Sequence, residues 1–116
     1  HPDSIIVPIF LSWYHVNMKA DEEYPTPYMQ NLFAAVLKLR TPQEASAFFR
    51  DLLTIAELKE FANRWHVVKL LNEGMTYEAI AKRLMISTAT VTRVAHWLHH
   101  GLGGYRTIAA RLYHKK

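Results

Sequence analysis

Eight residues within one short window carry side chains suited to meeting a polyanion: Lys82, Arg83, Ser87, Thr88, Ala89, Thr90, Thr92 and Arg93. Guanidinium and ammonium groups pair with phosphate oxygens. Hydroxyls reach phosphates and base edges, and Ala or a Thr methyl packs against a thymine methyl. Small side chains also let a helix backbone approach a groove closely. For this chemistry to work, one helix must display the residues and a second must hold it. Ile80, Leu84, Ile86, Val91 and Val94 fall where two short helices joined by a tight turn would pack, with Ala81 at their closest crossing. That spacing predicts a helix-turn-helix over about 76–99. A plain helical hairpin within a bundle is the blander alternative. Met85 occupies the turn position that such units usually give to Gly, and a left-handed backbone there would strain it.

Charge is distributed in keeping with the first reading. Residues 1–78 hold all ten Asp/Glu and seven of the fourteen Lys/Arg, while residues 79–116 hold Lys82, Arg83, Arg93, Arg106, Arg111, Lys115 and Lys116 with no acid. A basic, carboxylate-free stretch otherwise rich in core-type residues fits a surface that meets nucleic acid. A membrane surface fits less well, because no basic amphipathic helix with an aromatic face stands out. A solvated face balanced by the acidic half is the simpler alternative.

With 116 residues, half of them hydrophobic, the chain is sized for one globular domain. It contains no cysteine, which excludes a disulfide scaffold, a thiolate zinc site and a cysteine nucleophile. The apolar run Ile5 to Val16 is interrupted by Pro8, Ser12 and His15 and is shorter than the roughly 20 residues of a membrane span. It also lacks the basic flank of a secretory signal. A cytoplasmic protein without membrane association is therefore expected. The run reads as strand-like, and its character changes abruptly at Met18. This predicts that Met18 is the natural start and that 1–17 is foreign to the native chain or an upstream extension. An arm packing on a partner subunit is the alternative. Residues 1–27 are read as an N-terminal extension and 28–116 as the domain.

From residue 28 the pattern is helical, and six helices are expected. Tyr28 to Arg40 spaces Leu32, Phe33, Val36, Leu37 and Leu39 at helical intervals. Thr41-Pro-Gln-Glu44 is a capping box opening a short helix with Phe48, Phe49, Leu52 and Leu53 inside. Thr54-Ile-Ala-Glu57 is a second box, opening a long helix to Asn72 with the stripe Leu58, Phe61, Ala62, Trp65, Val68 and Leu71, stopped by Gly74. Thr76 to Leu84 follows, with Ala79, Ile80 and Leu84 inside. Ser87 or Thr88 caps the next helix, to about His99. A last amphipathic helix, Tyr105 to Tyr113, carries Ile108, Ala109 and Leu112.

Other constellations are weaker. His96 and His100 are four apart, a spacing that can chelate a metal, but no neighbouring carboxylate completes a site. Histidines at a helix C-terminus, favoured by its dipole, are the simpler reading, and no metal is expected. No Gly-rich phosphate loop, nucleophile–base pair or paired carboxylates suggest an enzyme.

From Leu52 to Leu98 the chain resembles the Trp repressor superfamily, in particular its YerC/YecD-type branch. The resemblance rests on Leu52-Leu-Thr-Ile-Ala-Glu57, Arg64, Leu70-Leu-Asn-Glu-Gly74, Thr76-Tyr-Glu-Ala-Ile-Ala81 and Ser87-Thr-Ala-Thr-Val-Thr-Arg93, and with its flanking helices covers roughly 28–113. It implies an all-α, six-helix fold whose amino-terminal helices interlock with those of a second subunit. The homodimer would present two reading heads to a palindromic double-stranded DNA operator.

In tryptophan-binding members a Thr and an Arg near the start of the long helix, with an Arg on the recognition helix, hold the corepressor. The matching positions here are Thr54, Arg64 and Arg93. Two departures oppose tryptophan. Val94 stands where the family keeps Gly to admit the indole, and Trp97 replaces a small hydroxyl residue. The implied ligand pocket of Thr54, Arg64, Arg93, Val94 and Trp97 is thus expected to be narrowed by Val94 and filled by the Trp97 indole. Glu78 stands where members carry Arg, so the operator sequence does not carry over. The expected function is a DNA-binding repressor needing no cofactor. A regulator gated by tryptophan or another small ligand, or a helical protein–protein adaptor, are the alternatives.

Overall fold

The computed structural model describes residues 23–113. The readings of the apolar run and of Met18 lie outside them. The described chain forms six helices and no strand: α1 (Pro27–Val36), α2 (Pro42–Leu52), α3 (Ile55–Asn72), α4 (Tyr77–Leu84), α5 (Thr88–His100) and α6 (Gly104–Tyr113). It divides at Phe49 and Arg50 into two compact units.

Hydroxyls set the helix starts. Thr26 Oγ1 accepts from Met29 N–H (3.2 Å), with Pro27 following in the first turn of α1. Thr41 Oγ1 accepts from Glu44 N–H (3.0 Å), but the Glu44 carboxylate reaches back to Arg40 N–H (2.9 Å) rather than to Thr41. At α3 the box closes as expected: Thr54 Oγ1 accepts from Glu57 N–H (3.1 Å) and Glu57 Oε1 from Thr54 N–H (2.9 Å). Thr76 Oγ1 caps α4 through Ala79 N–H (3.1 Å), and Ser87 rather than Thr88 caps α5 through Thr90 N–H (3.2 Å).

Within the first unit, Gln30 is the buried residue of α1, while Leu32, Phe33 and Leu37 are exposed. In α2 no residue is buried. Phe48, Phe49 and Leu53 are half-buried and Leu52 is exposed, contrary to the expected inner face.

The second unit holds the core. Val67, Val68 and Leu70 of α3 meet Ile80 and Ala81 of α4, Val91, Val94 and Leu98 of α5, and Ala109 of α6. Trp65, Leu71, Met75, Leu84, Ile86, Tyr105 and Tyr113 pack around them. Helix α5, which bears most of the candidate contact residues, is packed against α3, α4 and α6.

Only Val68 of the stripe expected on α3 is buried, while Val67 and Leu70 were not anticipated and Phe61 and Ala62 are exposed. The cause is cover: α4, α5 and α6 supply the buried surroundings of the C-terminal part of α3. Ala79 is exposed where Ala81 is buried, and Ile108 and Leu112 of α6 are exposed.

Candidate nucleic-acid interface

The turn between α4 and α5 follows from two backbone hydrogen bonds. Ile86 N–H donates to the Ala81 carbonyl (3.0 Å) and Met85 N–H to the Lys82 carbonyl (3.4 Å). Met75 to Leu70 (3.2 Å) and Gly74 to Leu71 (3.0 Å) repeat the arrangement at the end of α3. Both closures need one residue in the left-handed region. After α3 it is Gly74 (φ 86°), and after α4 it is Met85 (φ 58°). Ile86 then turns its side chain onto the core, and Ser87 starts α5.

Helix α5 buries Val91, Val94, Ala95 and Leu98. Its opposite side leaves Thr88, Ala89, Thr92 and Arg93 exposed and Thr90 half-buried, with exposed Ser87 at its cap and exposed Lys82 and Arg83 on α4. All eight anticipated contact residues are therefore accessible. Thr90 Oγ1 and Ser87 Oγ are hydrogen-bonded (3.1 Å), so the first turn of α5 arrives with its hydroxyls ordered. Lys82, Arg83 and Arg93 form no ion pair, and Arg106 and Arg111 on α6 add two further exposed cations. With no acid after Glu78, nothing within this stretch neutralises them.

His96, His99 and His100 are exposed at the end of α5. The His96 ring lies 5.0 Å from that of His100 and 4.9 Å from that of Trp97. Among the described residues no three His, Cys, Asp or Glu side chains converge on a point where a metal ion could be held.

A cavity of about 180 Å³ lies between α3, α5 and the start of α6. Arg64, Arg93, Val94 and Trp97 line it, as the implied pocket requires, together with Glu60, Thr90 and Tyr105. Thr54 is not among its walls; its hydroxyl is committed to capping α3. Trp97 does not fill the cavity. The residue is 54% exposed, and its indole forms a wall at the surface, which corrects the expected plug. Val94 is buried, its side chain in the core as well as at the cavity wall.

Glu60 and Tyr105 were not anticipated. Glu60 accepts from Arg64 Nη2 at 2.6 Å, one helical turn along α3. The four-residue spacing of Glu60 and Arg64 was a readable signal for that pair. Tyr105 packs its ring against Trp65 (6.1 Å) and carried no such signal.

The Trp repressor protein family matches residues 28–113. YerC of Bacillus subtilis (strain 168), an uncharacterized protein, is 37% identical over 84 residues, 72% of this chain and 81% of that one. A TrpR-like protein from Eubacterium eligens superposes with a TM-score of 0.73 at 39% identity, covering 79% of this chain and 96% of the other. A candidate Trp repressor from Staphylococcus aureus gives a TM-score of 0.76 at 31% identity, covering 85% and 99%. With the matched region spanning both the packed helices and the exposed, acid-free face of α5, the chain belongs to the Trp repressor family.

Proposed function

We propose that the protein is a sequence-specific DNA-binding transcription regulator, a repressor, that acts as a homodimer in the cytoplasm and without tryptophan as corepressor. In this reading α4 and α5 are a helix-turn-helix. Thr88, Ala89, Thr90 and Thr92 face the major groove, with Ser87 at the helix start and Lys82, Arg83 and Arg93 on phosphates or base edges. The observation that carries it is the set of unpaired, exposed cations around a helix face of small hydroxyl residues, in a stretch free of carboxylates. Family membership supports DNA as the partner.

The dimer is supported by apolar surface. Exposed apolar side chains lie in both units, Tyr28 and Leu37 in the first and Leu52, Ile55 and Phe61 in the second. A second copy is the partner that an interlocked arrangement supplies.

Val94 and the Glu60–Arg64 ion pair both disfavour tryptophan. One narrows the space for an indole and the other occupies a guanidinium. The test is enrichment of genomic fragments by the purified protein at about 100 mM salt, with and without L-tryptophan. A palindrome enriched in both conditions is the expected result. Enrichment only with tryptophan overturns the corepressor-free part, and no enrichment overturns DNA binding.

A further inference from the structure

The two guanidiniums of the cavity between α3, α5 and α6 are not equivalent. Arg64 donates to Glu60 at 2.6 Å, a short, charge-assisted contact between side chains one helical turn apart. Arg93 carries no ion pair. We infer that Glu60 is a specificity-determining residue, a carboxylate supplied by the chain itself that occupies Arg64 and keeps it from small carboxylate ligands entering the cavity. The inference deepens the corepressor-free reading given above and rests on it.

The physical argument has two parts. An incoming carboxylate beside the Arg64 guanidinium meets the like charge of Glu60, so it must displace Glu60 or forgo the contact with Arg64. The space is also small. At about 180 Å³ it lies below the roughly 300–1,000 Å³ of pockets for drug-sized ligands, leaving little room to engage Arg64 while avoiding Glu60. Arg93 is then the free anion-binding group of the cavity, and it stands on α5 beside the residues proposed to meet DNA. Trp97 and Tyr105 supply aromatic walls, so an aryl group is accommodated once its carboxylate finds a partner. Glu60, rather than the Trp97 indole, is the group that competes with a ligand, and it does so for Arg64.

The experiment uses benzoate, a small aryl monocarboxylate, titrated calorimetrically into the full chain without DNA. The proteins compared are the native sequence, Glu60→Gln, Glu60→Ala and the double variant Glu60→Gln/Arg64→Met. Glu60 and the Arg64 guanidinium are substantially exposed, so the substitutions leave the core intact, and two different Glu60 variants guard against a folding failure in either. Removing the Glu60 charge is expected to tighten benzoate binding about two- to fivefold, as suits a partly exposed pair, and Arg64→Met is expected to abolish that gain. Unchanged affinity, absence of binding by every protein, or a gain that persists without Arg64 overturns the inference. DNA binding is measured separately on the same proteins. Enrichment of fragments with no gain in benzoate affinity removes this inference alone; a gain without DNA binding removes the functional reading alone.

Discussion

Met85 adopts φ 58° and ψ 47° at the hinge of the two-helix unit, with its side chain 90% exposed. A left-handed L-residue costs roughly 1–2 kcal/mol, and an exposed side chain returns little of it by packing. Gly74 makes the equivalent closure after α3 without that cost. Met85→Gly is therefore expected to raise stability by about 0.5–1 kcal/mol, after allowance for the greater freedom of Gly in the unfolded chain. Urea denaturation checks it; a loss of stability would mean the Met85 side chain contributes contacts that its exposure conceals. The strain at this residue was legible in the sequence, because a turn of fixed geometry makes a local demand on one backbone angle. The roles of Trp97 and Glu60 were not. Trp97 was expected inside the pocket because it stands where the family resemblance puts a small hydroxyl residue against the ligand, but its position on α5 leaves the ring at the surface. Glu60 carries only a local signal, its four-residue spacing from Arg64, and nothing local makes it a cavity wall.

At the scale of elements, the buried residues of the two-helix unit were readable, Ile80, Ala81, Val91 and Val94 among them, while the inner faces of α2 and α3 were not. Caps are contacts between residues three apart, so Thr41 and Thr54 reveal themselves without any knowledge of the fold and Ser87 as one of two candidates, whereas Thr76 was read only as the start of a helix. Burial depends on which element arrives to cover a face. Periodicity identified apolar positions on α3 but not that Val67 and Leu70 would be covered while Phe61 stayed open. The cap of α5 matters most for the proposed function, since Ser87 orders the turn bearing Thr88, Ala89 and Thr90. Ser87→Ala is expected to cost about 1 kcal/mol of stability. It should also weaken DNA binding by more than the loss of one hydroxyl contact, because Thr90 loses a hydrogen-bond partner. Thermal denaturation and a DNA-binding titration on the same variant separate the two effects. Unchanged stability would show that the first turn of α5 is held by the core alone.

Across the whole molecule, charge is divided along the sequence and apolar exposure is not. Cations without acids gather after Glu78, whereas exposed apolar side chains occur in both units, from Tyr28 and Leu37 to Leu102 and Leu112. The charge asymmetry suits a polyanion. The all-α class, the six helices and the family were legible, since helical spacing and the motifs over 52–98 are properties of the chain alone. What covers the apolar faces is not a local property, and no periodicity encodes it. The central claim is that the exposed face of α5, with Lys82 and Arg83 at the end of α4, binds double-stranded DNA through its phosphates. Its most direct test is the affinity of the protein for duplex DNA as a function of salt. If a dimer neutralises about six to ten phosphates, affinity falls by roughly 10³–10⁵ between about 50 and 200 mM salt. Affinity independent of salt over that range, or no binding at its lower end, would contradict the account.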